Sequence, residues 1–183
     1  FSDGTDSGKF DPDPTYIKTF INQGTYDVTL HVMDDNGVTA STSKQIEVVN
    51  KPPIARASED LTINEDETAR FDASRSTDTA GDIPTLQFAW DFGDGSPPGS
   101  GKTASHVYTS SGRYVVTLTV TDRDGDRGTD VVNVTVRNVA PTANAGPDIT
   151  VFEDEDVVLN GSRSTDTPSD IPTLVYRWDT TGD

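Results

Sequence analysis

The chain has 183 residues, enough for one large domain or two small ones, with a formal net charge of −17, no Cys and two His. So acidic a surface argues against contact with nucleic-acid phosphates or anionic membranes, and the missing Cys removes disulfides, thiol nucleophiles, zinc–thiolate sites and iron–sulfur clusters. No run of about 18 apolar residues exists to span a bilayer, and Phe1-Ser2-Asp3-Gly4 does not read as a biological start, so the chain is expected to be part of a longer one.

The apolar residues fall in short alternating runs between Gly, Asp, Asn and Pro, the pattern of a folded all-β protein. The first run, Gly24 to Val32, reads as a strand, and Asn36-Gly37 after it as a hairpin turn. Asn50-Lys51-Pro52-Pro53 reads as a linker. Ile63, Ala69 and Phe71 are expected in one sheet, facing a second one built from three later runs. In that second sheet Leu86, Phe88 and Trp90 alternate with Gln87 and Ala89. Tyr114, Val116, Leu118 and Val120 alternate with Val115, Thr117 and Thr119, and Val132, Val134 and Val136 with Asn133, Thr135 and Arg137. Asp124-Gly125 supplies the turn between the last two. Gly99-Ser100-Gly101-Lys102-Thr103 lacks the spacing of a phosphate-binding loop and is assigned to a hairpin loop. No stretch has a helical period.

These runs repeat. Tyr26 returns as Tyr114, Ser74-Arg75-Ser76-Thr77-Asp78-Thr79 as Ser162-Arg163-Ser164-Thr165-Asp166-Thr167, Asp82-Ile83-Pro84-Thr85-Leu86 as Asp170-Ile171-Pro172-Thr173-Leu174, and Trp90-Asp91 as Trp178-Asp179, always at an offset of 88. One complete module therefore spans 51–138, preceded by the back part of a module (1–50) and followed by the front part of another (139–183). An isolated part would leave a sheet face uncovered and strand edges unpaired. The two parts are complementary: joining Asp183 to Phe1 restores a module with seven extra loop residues, and 183 is two periods of 88 plus seven.

Trp90-Asp91-Phe92-Gly93-Asp94-Gly95-Ser96 is a recognisable motif. With Phe71-Asp72-Ala73-Ser74 before it and His106-Val107-Tyr108, Gly112-Arg113-Tyr114 and Val120-Thr121-Asp122 after it, the chain resembles the PKD (polycystic kidney disease) repeat family. The resemblance implies tandem immunoglobulin-like β-sandwiches of about seven strands. It further implies extracellular spacer, adhesion or polymer-associated modules without catalysis of their own. The third copy departs from the motif, reading Trp178-Asp179-Thr180-Thr181-Gly182-Asp183.

Candidate chemistry is sparse. Hard cations need several oxygen ligands on loops, and Asn50 with Asp78, Thr79 and Asp82 is one such set at a module boundary. Asn138 with Asp166, Thr167 and Asp170 is its equivalent one repeat later. The resemblance implies calcium near the linker in some members, while Asx-type turns are the competing reading. Asp122-Arg123-Asp124-Gly125-Asp126 lacks the terminal Glu of a helix–loop–helix calcium site and reads as a turn, like Asp34-Asp35-Asn36-Gly37. Asp91 and Asp94 could suggest a glycosidase pair, but a tight Gly-rich turn assigns them to capping backbone N–H groups. His106 is assigned to a structural strand position. Trp90, Trp178 and Tyr176 are expected inward, not as sugar platforms. Asn133 and Asn160 open N-glycosylation tripeptides, with Asn133 outward on its strand.

The sequence thus points to a non-catalytic structural module of a tandem-repeat cell-surface or extracellular fibre protein, archaeal or bacterial, acting in rod or filament assembly and adhesion. Its partners would be neighbouring copies, joined covalently or by complementation of partial modules. The alternative is a spacer or polymer-binding module of a secreted hydrolase.

Overall fold

The computed structural model describes residues 10–180. Nine strands occur in that span: β1 Gly24–Met33, β2 Thr39–Val48, β3 Leu61–Asn64, β4 Thr68–Asp72, β5 Gln87–Asp91, β6 Gly99–Ser100, β7 Thr103–Val107, β8 Gly112–Thr121 and β9 Arg127–Arg137. Seven of them build the middle module. A five-stranded sheet runs β3-β9-β8-β5-β6, and a two-stranded sheet pairs β4 with β7.

Alternation puts one face of each strand inward. Trp90, Val116, Leu118, Val120, Val132, Val134 and Val136 come from the larger sheet and meet Ala69 and Phe71 of β4, with Ala55, Ala73, Phe92 and Tyr108 closing the core. The Phe71 ring lies 5.5 Å from Trp90 and 5.7 Å from Phe92, joining the two sheets. Trp90 has no exposed surface, and its indole N–H donates to the Gly101 carbonyl at 3.0 Å.

Two sequence expectations need correction. Ile63 does not lie in a sheet with Ala69 and Phe71, because β3 pairs in parallel with β9 (Ile63 opposite Val136) and only β4 enters the second sheet. The crossing occurs in the turn 65–67, where Asp66 adopts φ 61 and the Glu67 carboxylate accepts from the Asn64 N–H. The Gly99–Thr103 stretch is not one hairpin loop either. Gly99 and Ser100 pair with β5, whereas Thr103 already pairs with β4, so the chain changes sheets at Gly101 (φ 97).

The flanks repeat the module's local geometry. β1 and β2 pair over ten rungs from Gly24↔Val48 to Met33↔Thr39, and β8 and β9 over ten from Gly112↔Val136 to Thr121↔Arg127. Tyr26 O–H donates to the Asn22 carbonyl at 2.9 Å as Tyr114 O–H does to Ser110. Phe20 packs on Tyr26 at 4.5 Å as Tyr108 does on Tyr114 at 4.3 Å. On the other side, the Thr142–Thr165 bridge repeats Ile54–Thr77. The Asn144 N–H donates to Ser164 as the Arg56 N–H does to Ser76, both at 3.0 Å. Short 3-10 turns at Ile83–Thr85 and Ile171–Thr173 each begin around a Pro.

What the flanks lack is cover. Leu30 is 58% exposed where its counterpart Leu118 is fully buried. Among the described residues 139–180 hold no strand, so Trp178 and Tyr176, expected inward, are 44% and 55% exposed. Their inward register needs a partner strand like β8, and none lies beside them. The Asp183–Phe1 join falls outside the described residues.

Candidate functional site at the module boundaries

The motif around Trp90 is a set of turns. Asp91 Oδ1 accepts from the Gly93 N–H, and Asp94 Oδ1 from the N–H and the hydroxyl of Ser96. The other Asp94 oxygen meets His106 Nε2 at 2.6 Å. His106 stacks on Phe92 at 4.2 Å and stands edge-on to Tyr108, whose hydroxyl donates to the Phe92 carbonyl. Burial pushes Asp94 up, but the bonds from Ser96 and His106 outweigh it and hold its pKa at about 2. Both Asp94 oxygens, Asp91 Oδ1, His106 Nε2 and the Tyr108 hydroxyl are thus engaged within the module. Asp179, the counterpart of Asp91, instead pairs with Arg177 at 2.9 Å on the surface.

A carboxyl group with a depressed folded pKa stabilises the fold above its unfolded pKa, and that contribution fades as pH falls through the folded value. Asp94→Asn should therefore lower the melting temperature at neutral pH, and the gap to the parent chain should close as pH falls from the ordinary carboxylate range to about 2. Calorimetric melts across that range check it.

The residues that converge lie at the boundaries. The Asn50 amide donates to Asp122 at 2.7 Å and to Asp126 at 2.9 Å. Arg123 Nε sits 3.2 Å from Asp82, while its guanidinium reaches Asn22 at 2.6 Å, and Gln23 donates to Asp124 at 2.7 Å. Hairpin β1–β2 is thereby tied to the turn between β8 and β9. Asp122 and Asp82 are both nearly fully buried. Burial pushes Asp122 up, yet bonds from Asn50 and from the N–H groups of Asp126, Asp124 and Gly125 outweigh it and lower its pKa. Sequence reading treated 122–126 as a plain turn. Nothing local shows that it faces Asn50 and Asp82, although the 88-residue offset hints at it: Asp126 is replaced by Val38 in the first copy.

Asn50, Asp78 and Asp82 meet at this boundary around Asp122 and Arg123. Arg123 Nε faces Asp82 Oδ1 at 3.2 Å, and Asn50 presents its N–H₂ to Asp122 and Asp126. Thr79 donates its hydroxyl to Asp82. Asp78 Oδ2 and Asp82 Oδ1 are both buried without a hydrogen-bond partner. Burial first, then Asp82 and Asp122, raise the Asp78 pKa, so protonation relieves it. Among the described residues no three His, Cys, Asp or Glu side chains are arranged to hold a metal ion.

At the next boundary the Val139 N–H donates to Glu65 at 2.8 Å and the Ser169 N–H to Asp66 at 2.8 Å. Burial, then Glu65, Asp166 and Asp66, raise the Asp170 pKa. Asn138 turns away and donates to the Val139 carbonyl, and Asp166 caps the Thr167 N–H as Asp78 caps Thr79. Asn133 points outward between buried Val132 and Val134, with its amide on the Asp60 carboxylate. The Asn160 side chain accepts from the Ser162 N–H.

The middle module is thus an all-β two-sheet domain of the size of one immunoglobulin domain. Residues 50–136 match the family model described as PKD domain, and this segment is a PKD domain. Collagenase ColA of Clostridium perfringens is 36% identical over 111 residues, covering 61% of this chain and 9% of the collagenase. The dyslexia-associated protein KIAA0319 homolog of Mus musculus is 32% identical over 194 residues, covering 97% of this chain and 17% of that protein. The chain spans less than a fifth of either relative. Among solved structures, the PKD1 domain of Vibrio anguillarum Epp aligns with TM-score 0.40 at 32% identity, over 48% of this chain and 96% of that one.

Proposed function

We propose that the chain is a non-catalytic spacer and polymer-binding segment of a secreted hydrolase or related multi-module extracellular protein. The observation that carries this reading is the PKD match of 50–136, together with likeness to a collagenase and to the pre-pro-metalloprotease PrtV of Vibrio cholerae, 33% identical over 106 residues. The side chains support it: Trp90, Asp91, Asp94 and His106 serve the fold, which leaves surfaces rather than a reaction centre for function. One shallow groove on the middle module is lined by Ile83, Pro84, Leu86, Phe88 and Lys102, with the Lys102 ammonium 5.8 Å above the Phe88 ring. A partly apolar groove with a cation at its rim suits an extended, uncharged or acidic polymer.

Sedimentation with insoluble collagen, chitin and cellulose tests the binding part. Retention on one of them, weakened by Lys102→Glu, is the expected result. Retention on none, in low salt as in high, removes the binding role and leaves the spacer.

A second reading, a tandem array serving a cell-surface rod or fibre, draws on the recurrence of local geometry at the 88-residue offset. Glu65 and Asp66 on one boundary, and Arg123 and Asn50 on the other, tie each flank to the module directly, which favours a stiff array over loosely strung beads.

A further inference from the structure

We propose that the end of the middle module formed by residues 81–82 and 122–126 is a docking surface selective for the module before it, with Gly81 and Arg123 as the selecting residues. The partner it fits brings a backbone carbonyl onto Gly81 and a side-chain amide oxygen onto Arg123. The proposal does not depend on polymer binding.

Gly81 has no need within its own module to be glycine. It is not among the glycines with a left-handed backbone, so an L side chain meets no backbone penalty there. What excludes a side chain is the neighbour. A Cβ at position 81 would stand 2.7 Å from the Ile21 carbonyl oxygen and 3.5 Å from Asn22 Oδ1. Ile21 and Asn22 lie just before β1, outside the middle module. One repeat later the same position is Ser169.

Arg123 also reaches out of its own turn. Its Nε faces the buried Asp82 carboxylate at 3.2 Å, and its guanidinium donates to Asn22 Oδ1 at 2.6 Å. A planar guanidinium held at one edge by Asp82 presents its remaining N–H groups in a set direction. Asn22 places an acceptor there, and Gln23 beside it donates to Asp124 at 2.7 Å. Two consecutive amides thus meet a cation and the carboxylate that follows it. In the first copy the position of Arg123 is Asp35, which cannot donate in this way.

The second boundary uses other contacts. Where the first copy has Ile21-Asn22-Gln23, the middle module has Thr109-Ser110-Ser111, with neither amide. Ser169 carries the Cβ that Gly81 lacks, and its N–H goes to Asp66 Oδ2 at 2.8 Å. The middle module therefore lacks the residues that its own docking surface reads. Placed before a copy of itself, it would leave Arg123 and Asp124 without their amide partners. The two joints are not interchangeable, and the order of modules is written into them. Such discrimination combines new attraction with steric exclusion.

The test is the distance between the β1–β2 hairpin and the middle module in the 183-residue chain. The chain has no native Cys, so Ser41→Cys on β2 and Ser105→Cys on β7, both exposed, give one pair of spin labels for pulsed electron resonance. The labelled parent should show a single narrow distance peak. Gly81→Ser, which installs the side chain found at 169, should lose that peak. So should Asn22→Ser, which installs the side chain found at 110. Asn22 lies outside the middle module, and Ser110 already supports the Tyr114 contact that Asn22 makes with Tyr26, so misfolding does not explain a loss there. Urea melts of the middle module should be unchanged in both variants. Either variant keeping the narrow peak overturns the proposal, as does a parent chain with a broad distribution. A Gly81→Ser chain whose middle module melts earlier overturns it too, because Gly81 would then serve its own fold.

Discussion

Trp90→Ala is expected to unfold the middle module. The side chain is completely buried between the sheets, against Phe71, and its N–H serves the Gly101 carbonyl at the point where the chain changes sheets. Large-to-small changes of a buried Trp cost about 3–5 kcal/mol, and the abandoned carbonyl adds to that. A domain of this size is stable by about 5–15 kcal/mol in all. Urea denaturation should show the transition moved to very low denaturant or lost. Trp178→Ala supplies the internal comparison: the same residue type at the same repeat position, but exposed in the isolated chain, should shift the midpoint by no more than about 0.5 kcal/mol. Equal effects at both positions would contradict the packing described for β5.

Gly93→Ala carries the second largest expected effect. Gly93 adopts φ 76, and a Cβ there would stand 2.5 Å from the Val115 carbonyl oxygen of β8. Two penalties add: the left-handed backbone, about 1–2 kcal/mol, and displacement of a strand in a packed sheet, about 1–3 kcal/mol. Gly95→Ala isolates the first of these, since Gly95 has φ 80 but nothing within 4 Å of a Cβ. Thermal melts of the pair should rank Gly93→Ala well below Gly95→Ala. If the two coincide, the close approach of the motif loop to β8 is wrong.

The strands of the middle module were legible because their alternation is strong and their turns are local. Val132, Val134 and Val136 announce β9 by period alone, and Asp124-Gly125 announces the turn before it, where Gly125 has φ 94. Which sheet a strand joins was not legible in the same way. Ile63 and Ala69 are six residues apart with similar patterning, and only the reversal at Asp66 sends them to different sheets. Exposure of Trp178 was illegible for another reason: an inward-facing pattern specifies a face but says nothing about whether anything covers it. The boundary network failed to show because it joins residues far apart in sequence, such as Asn50 with Asp122, whose types suit an ordinary turn as well as a junction. The same ambiguity holds for Asp78 and Asp82, whose types suit a cation set as well as a turn.

The parallel pairing of β3 with β9 bears on how the module answers force. These strands are the first and last of the module, and they run side by side from Leu61↔Val134 to Asn64↔Arg137. Tension entering near Asn50 and leaving near Asn138 pulls them along their own axes in opposite directions. Their hydrogen bonds are then loaded together in shear instead of being unzipped one after another. Resistance set in that way is a matter of unfolding rate, not of equilibrium stability. A chain with no disulfide can in this manner hold against a pull through four rungs of one short ladder.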